Sequence, residues 1–254
     1  MKNRLLPIGL SLIEIMIALL IGALLLGGIL QIFIGSKQTY RMQEALSRLQ
    51  ENGRFALDYL ANDIRMAGYW GCLSTSTVNT DIGGTNDNDN HGDTIDDGTD
   101  TITLKGAFAL TPIRTCGASV DTANSCGMGV NCYTDTSSTI YYKINNDVLQ
   151  QDTHGMHNGL VEGIENMQIL YGVDNNSDRT PNYYVPADQV NNWSNVVSIR
   201  ISLLAVTLDD NLTPQPMPYT FNGITTTTTS TPPVTDHKIR RVFTSTIALR
   251  NRLP

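Results

Sequence analysis

The sequence predicts an α+β fold, with one long N-terminal helix followed by mostly antiparallel strands joined by long polar loops. Three observations carry this. Residues 10–34 are almost unbroken apolar sequence, and apolar positions then recur at three-and-four spacing as far as Ala67. From Asp100 onward the pattern changes to short β-branched or alternating segments separated by stretches of Asn, Asp, Gly and Thr.

The helix comes first. Between residues 10 and 34 the single ionisable side chain is Glu14, and only Ser11 and Gln31 are otherwise clearly polar. A run of this length crosses a bilayer as a helix. A charge near the bilayer centre costs roughly 2.5–3.5 kcal/mol, less towards one end, so Glu14 calls for a partner. A secretory signal or a plain anchor would satisfy the hydropathy alone. A signal, however, keeps its core uncharged and ends at a small-residue cleavage site, whereas here a basic leader carrying Lys2 and Arg4 stops at Gly9 and Glu14 follows. Those two cations place the N-terminus in the cytoplasm and everything after Ile34 across the membrane.

Beyond the apolar run, Ala45, Leu46, Leu49, Ala56, Leu57, Leu60, Ile64 and Ala67 form one stripe of an amphipathic helix. Arg41, Glu44, Arg48, Glu51, Arg54, Asp58 and Arg65 lie off it and read as a solvated face. One helix from Leu10 to about Met66 is predicted, about 85 Å long at 1.5 Å per residue. Gly68 suits a left-handed cap. The organisation expected is a leader over 1–9, a membrane-spanning half-helix over 10–35, an amphipathic half over 36–67 and a β-rich domain over 68–254.

Seventeen basic against 24 acidic residues give a formal charge of −7, and loss of Lys2 and Arg4 with a leader makes it −9. Such a domain lacks the cationic footprint of a nucleic-acid binder. The four cysteines, Cys72, Cys116, Cys126 and Cys132, suit an oxidising compartment as two disulfides. Three connectivities are open. Cys116–Cys126 with Cys72–Cys132 is preferred, because the polar, Gly-rich stretch from Thr115 to Thr134 has little else to restrain it. A zinc site would want a Cys-x-x-Cys pair, which is missing.

Residues 74–100 read as a long loop. Within it, Asp87-Asn88-Asp89-Asn90-His91-Gly92-Asp93 imitates the start of a calcium loop, but His91 stands at the fifth place and Gly98 at the twelfth. Asp174, Asn176 and Asp178 form a second calcium candidate, with Arg179 where Gly belongs. Solvated polar turns are the default for both. Strands are expected from Asp100 to Leu104, over Thr139–Gln150 as a hairpin turning at Asn145-Asn146-Asp147, over Ile164–Val173, over Val196–Thr207 as a central strand, and from about Ile239 to Leu249. Asn211 to Asp236 reads as a loop.

Chemistry-bearing motifs are sparse. His154-Gly155-Met156-His157 lacks the Glu and the helix of a zinc hydrolase and reads as a loop. No Gly-x-Ser-x-Gly elbow or phosphate-cradling Gly loop is present. No catalytic role and no cofactor other than the candidate calcium are expected.

The stretch Gly9-Leu10-Ser11-Leu12-Ile13-Glu14, with its basic leader and apolar helix, resembles the N-terminus of the type IV prepilins. Residues 160–174, 241–252, 66–72 and 99–104 are similar to the PilW family of minor pilins. The resemblance implies cleavage between Gly9 and Leu10 by a prepilin peptidase, methylation of the new amine on Leu10, and pairing of Glu14 with the amine of a neighbouring subunit. Leu10 departs from the Phe more usual at that place. The resemblance further implies a pilin-like fold and a low-abundance subunit of the inner membrane and periplasm. Such a subunit helps to prime pilus assembly beside other minor pilins, the major pilin and a tip adhesin-like protein, in support of adhesion, twitching motility and DNA uptake. Two alternatives share its features. One is a J-type pseudopilin of a type II secretion system, and the other is a tip binding module with calcium-stabilised loops.

Overall fold

A computed structural model describes residues 11–68, 81–86, 99–106, 114–115, 131–132, 139–153 and 156–252, the four residues at 114–115 and 131–132 in their backbone alone. The chain divides into two compact units, Met1–Glu44 and Ala45–Pro254, and the boundary falls inside the helix.

Helix α1 spans Leu12–Met66. Its first backbone bond runs from the Ile15 amide to the Ser11 carbonyl, 3.2 Å. It ends as the sequence predicts: Gly68 takes φ +74°, which a residue with a Cβ rarely adopts, and its amide reaches the Lys105 carbonyl at 2.8 Å. Within the second unit the helix buries Ala45, Leu49, Gly53, Ala56, Leu60, Ala61 and Ile64. Leu46 and Leu57 sit at the border of this stripe, and Gly53 joins it because the Phe243 ring rests there.

Among the described residues thirteen strands follow: β1 (Ile82–Thr85), β2 (Thr101–Lys105), β3 (Arg114–Thr115), β4 (Asn131–Cys132), β5 (Thr139–Asn145), β6 (Val148–Thr153), β7 (Met156–Glu162), β8 (Ile164–Val173), β9 (Tyr183–Val185), β10 (Val196–Val206), β11 (Tyr219–Phe221), β12 (Ile224–Thr226) and β13 (Arg240–Ala248). They form a five-stranded sheet in the order β1-β2-β5-β6-β7, a four-stranded sheet in the order β13-β10-β8-β9, and the two hairpins β3-β4 and β11-β12. Every pairing is antiparallel. This is the expected α+β arrangement, a long apolar N-terminal helix with antiparallel sheets, and the second half of that helix supplies core side chains to them.

The expected hairpin turns at Asn146 (φ 52°) and Asp147 (φ 58°), the paired left-handed residues of a two-residue connection that follows strand twist. Strand β10 is central, as its length and alternation imply. Its Ile199, Ile201 and Leu203 meet Tyr142, Leu149, Met167, Ile169 and the helix side chains in one core. The chain passes from the first sheet to the second at Gly163, where φ is +75° and a Cβ would stand 2.7 Å from the Val206 carbonyl. A residue with a Cβ would press on the end of β10 there.

Three sequence readings need correction. Met156 and His157 are strand residues of β7 and not loop, because β6 extends past Gln150 to Thr153 and offers them a ladder. The 74–100 loop contains β1, whose Gly83 and Gly84 hid a strand that pairs with β2. The stretch from Asn211 to Asp236 contains the β11-β12 hairpin, which turns at Asn222 and Gly223.

Candidate functional site

Glu14 lies in the first turn of α1, where the unpaired amides of the helix end favour a carboxylate. The side chain is exposed, and so are the large apolar residues around it. From Leu12 to Ile34 every large hydrophobic residue is between 47% and 75% exposed. This segment is apolar on all sides and long enough to span a bilayer, and none of that span is buried within the chain. An apolar surface of this extent is stable only against lipid or neighbouring helices. Gly9 and Leu10, the expected cleavage site, lie outside the described residues.

The disulfide candidates Cys72, Cys116 and Cys126 also lie outside them, and Cys132 is placed only as a backbone position in β4, opposite Arg114. The first calcium-like stretch, residues 87–98, lies outside as well.

The second candidate is fully described. The loop after β8 brings Asp174, Asn176 and Asp178 together, and its own donors occupy them. Asp174 Oδ1 accepts from the amides of Asn176 (3.1 Å) and Ser177 (2.7 Å), and Oδ2 accepts from Arg179 N at 2.6 Å. Ser177 and Arg179 adopt positive φ, which turns these amides inward. Asp178 accepts from the Thr180 hydroxyl, from the Thr180 amide (2.8 Å) and from Asn176 Nδ2 (2.9 Å), and the Thr180 bonds hold its carboxyl below the usual range. Among the described residues no group of three or more His, Cys, Asp or Glu is placed to hold a metal ion.

Two polar clusters escaped the sequence reading. The first ties α1 to the five-stranded sheet: the Tyr142 hydroxyl donates to Asp63 Oδ2, and Gln151 Nε2 donates to the Tyr142 oxygen (2.9 Å) and to Asp63 (3.4 Å). Burial pushes the Asp63 carboxyl up despite the Tyr142 bond, and it pushes the Tyr142 hydroxyl far above its usual range. The available signal was position, since Asp63 falls three places after Leu60 and directly before Ile64, at the edge of the apolar stripe.

The second cluster centres on Arg240, whose side chain is only 7% exposed. It makes a bidentate pair with Glu165 (2.6 and 2.9 Å) and another with Asp236 (2.8 and 2.6 Å), and its guanidinium lies 4.8 Å from the centre of the Tyr219 ring. Burial opposes the Arg240 charge, but the two carboxylates outweigh it, and Arg240 in turn holds Asp236 low. This pins the neck of the 208–238 excursion to β8 and β13. Nothing in the local sequence pairs Glu165 with Arg240, 75 residues away.

Residues 130–251 match the family model of PilW, type IV pilus-assembly protein W. The matched range runs from just before β4 through β13, and it leaves out both α1 and the PilW-like stretches at 66–72 and 99–104. No curated protein matches the chain significantly. Among solved structures the chain is similar to a type IV-like pilin from Thermus thermophilus, with 13% identity, 82% of this chain and 99% of that one covered, and a TM-score of 0.41. Over residues 130–251, just under half of its length, the chain is thus similar to type IV pilus-assembly protein W.

Proposed function

We propose that the chain is a minor pilin that helps to prime type IV pilus assembly and occupies the tip complex of the filament. One observation carries this: a helical segment from Leu12 to Ile34 exposes apolar side chains all round and holds a single carboxylate, Glu14, in its first turn. A prepilin peptidase cuts between Gly9 and Leu10 and methylates the Leu10 amine. The segment first resides in the inner membrane, N-terminus in the cytoplasm and domain in the periplasm, and then moves into the filament core. There Glu14 pairs with the amine of a neighbouring subunit, which offsets the cost of a buried carboxylate. Other minor pilins, the major pilin and a tip adhesin-like protein are its partners. Adhesion, twitching motility and DNA uptake depend on it through the filament, because an acidic domain is a poor direct ligand for DNA.

Intact mass and N-terminal sequencing of the protein from cells test the reading. The expected chain begins at methylated Leu10. A chain that keeps Met1, or one cut near Gly27 or Gly28, overturns it. Deletion separates it from the secretion-system alternative, since loss of piliation is expected with enzyme secretion intact.

A further inference from the structure

The geometry points to the outer edge of β13 as a docking site for an extended segment of a different polypeptide, added as a further strand to the four-stranded sheet. Strand β13 ends that sheet and pairs with β10 over nine residues in unbroken register. The direction of its outward backbone groups follows from two flanking bonds: Thr207 N donates to the Ile239 carbonyl, and Leu249 N donates to the Val197 carbonyl. Odd-numbered residues therefore face β10. In an antiparallel ladder the alternate residues, Arg240, Val242, Thr244, Thr246 and Ala248, turn amide and carbonyl the other way. Among the described residues no backbone bond reaches them from that side.

Strand β11 lies beside β13, with Tyr219 over Arg240 at its start, and the other sheet edges are shorter or more irregular than β13. Strand β1 has four residues and two glycines, β9 has three residues, and β7 contains Gly159 beside a register shift in its ladder with β6. The interior of β13, Val242-Phe243-Thr244-Ser245-Thr246-Ile247, has no charge, Pro, Gly or bulge and high strand propensity. Such an edge gives affinity through main-chain bonds and selects by side chain.

Charge selects the occupant. Exposed Arg241 and Arg250 flank the edge, with Lys238 beyond its start. A second copy in parallel register would set Arg241 against Arg241, and in antiparallel register centred on Thr244 it would set Arg250 against Lys238. Like charges opposed across strands destabilise the pair. A strand with acidic residues at its ends meets both cations instead. This surface belongs to the second unit alone and does not rest on the assembly reading, so its failure leaves the N-terminal test untouched.

The test uses the full chain in detergent micelles and two nine-residue peptides of alternating valine and threonine, one ending in glutamates and the other in lysines. Amide hydrogen exchange is read residue by residue. The glutamate peptide is expected to slow exchange at Val242, Thr244 and Thr246 at least tenfold, with no such effect from the lysine peptide at equal concentration. Thr244→Pro, which removes an outward amide that proline can lack at a sheet edge, abolishes this slowing while the amides of Phe243 and Ser245 stay protected. Arg241→Glu reverses the peptide preference with the backbone intact. Unchanged exchange at the even-numbered amides, equal effects of both peptides, or slowing that grows with chain concentration and no peptide each overturn the proposal, the last by giving the edge to a second copy.

Discussion

The two halves of α1 continue one helix and both carry leucine and isoleucine, yet they meet opposite surroundings. From Leu12 to Ile34 the apolar residues circle the helix and all stay exposed. From Ala45 to Ile64 most of them lie along one buried stripe, with Ala56, Leu60 and Ile64 fully buried and Phe55 left exposed off it. The difference shows where each half obtains its stability. The second half has a core within its own chain, whereas the first must take its apolar contacts from lipid or other subunits. Under the proposed assembly reading, the carboxylate of the first half takes its cation from that external partner as well.

Substitutions that separate the two halves probe this comparison, and the largest effect belongs to Glu14. Glu14→Ala is expected to leave the domain folded and the protein in the membrane but to lower its content in sheared filaments at least tenfold. Quantifying the chain in filament and membrane fractions checks this, and equal incorporation would remove the pairing role. Next come matched leucines. Leu60→Ala is expected to cost about 2–5 kcal/mol, because it empties a fully buried site. Leu25→Ala, from an exposed site, should change domain stability by less than about 0.5 kcal/mol. Urea unfolding in detergent compares them, and equal costs would dissolve the distinction between the halves.

Glycines provide a finer contrast. A Cβ at Gly53 would lie 2.4 Å from the Phe243 ring, while one at Gly27 would meet nothing within 4 Å. Gly53→Ala therefore sets overpacking of about 1–3 kcal/mol against a helix-propensity gain of about 1 kcal/mol. A net loss is expected, and Phe243→Leu in the same chain should recover part of it. Gly27→Ala should leave domain unfolding unchanged. A Gly53→Ala chain as stable as the parent would mean that Phe243 can move away at no cost.

Much of this was legible in the sequence because it is periodic. The helix, the hairpin at Asn146-Asp147, β8, β10 and β13 all announce themselves by alternation or by three-and-four spacing over many residues. What escaped is set by tertiary contact. Strand β1 is Ile-Gly-Gly-Thr and forms because β2 offers it a ladder. Strand β7 carries exposed residues on both faces and reads as polar loop until β6 is placed beside it. The Arg240–Glu165 pair joins residues distant in sequence, and no local rule foretells it. The same limit applies to Asp174, whose oxygens match a cation-loop spacing while the fold turns three amides onto them.

The smallest expected effect concerns Asp63, the one carboxylate of the second half that is drawn towards the core. Burial raises its pKa above the ordinary 3.8 in the folded chain. The folded state therefore keeps a proton that the unfolded state has already released. The resulting stabilisation is complete below pH 3.8 and is lost as pH rises through the folded pKa, so at neutral pH the ionised carboxylate is a net cost. Asp63→Asn removes the titration and keeps an oxygen that can accept from the Tyr142 hydroxyl. The variant should equal or exceed the parent in stability at pH 7, and its advantage should shrink towards pH 4. Unfolding free energies measured across that range decide the matter. If Asp63→Asn is instead less stable at pH 7 by more than about 1 kcal/mol, with the parent's pH slope retained, charge-assisted bonds from Tyr142 and Gln151 outweigh desolvation. The helix would then be held to the sheet by the ion itself, in the same way that Glu14 is proposed to be held by an amine, and the two halves of α1 would differ only in where the partner comes from.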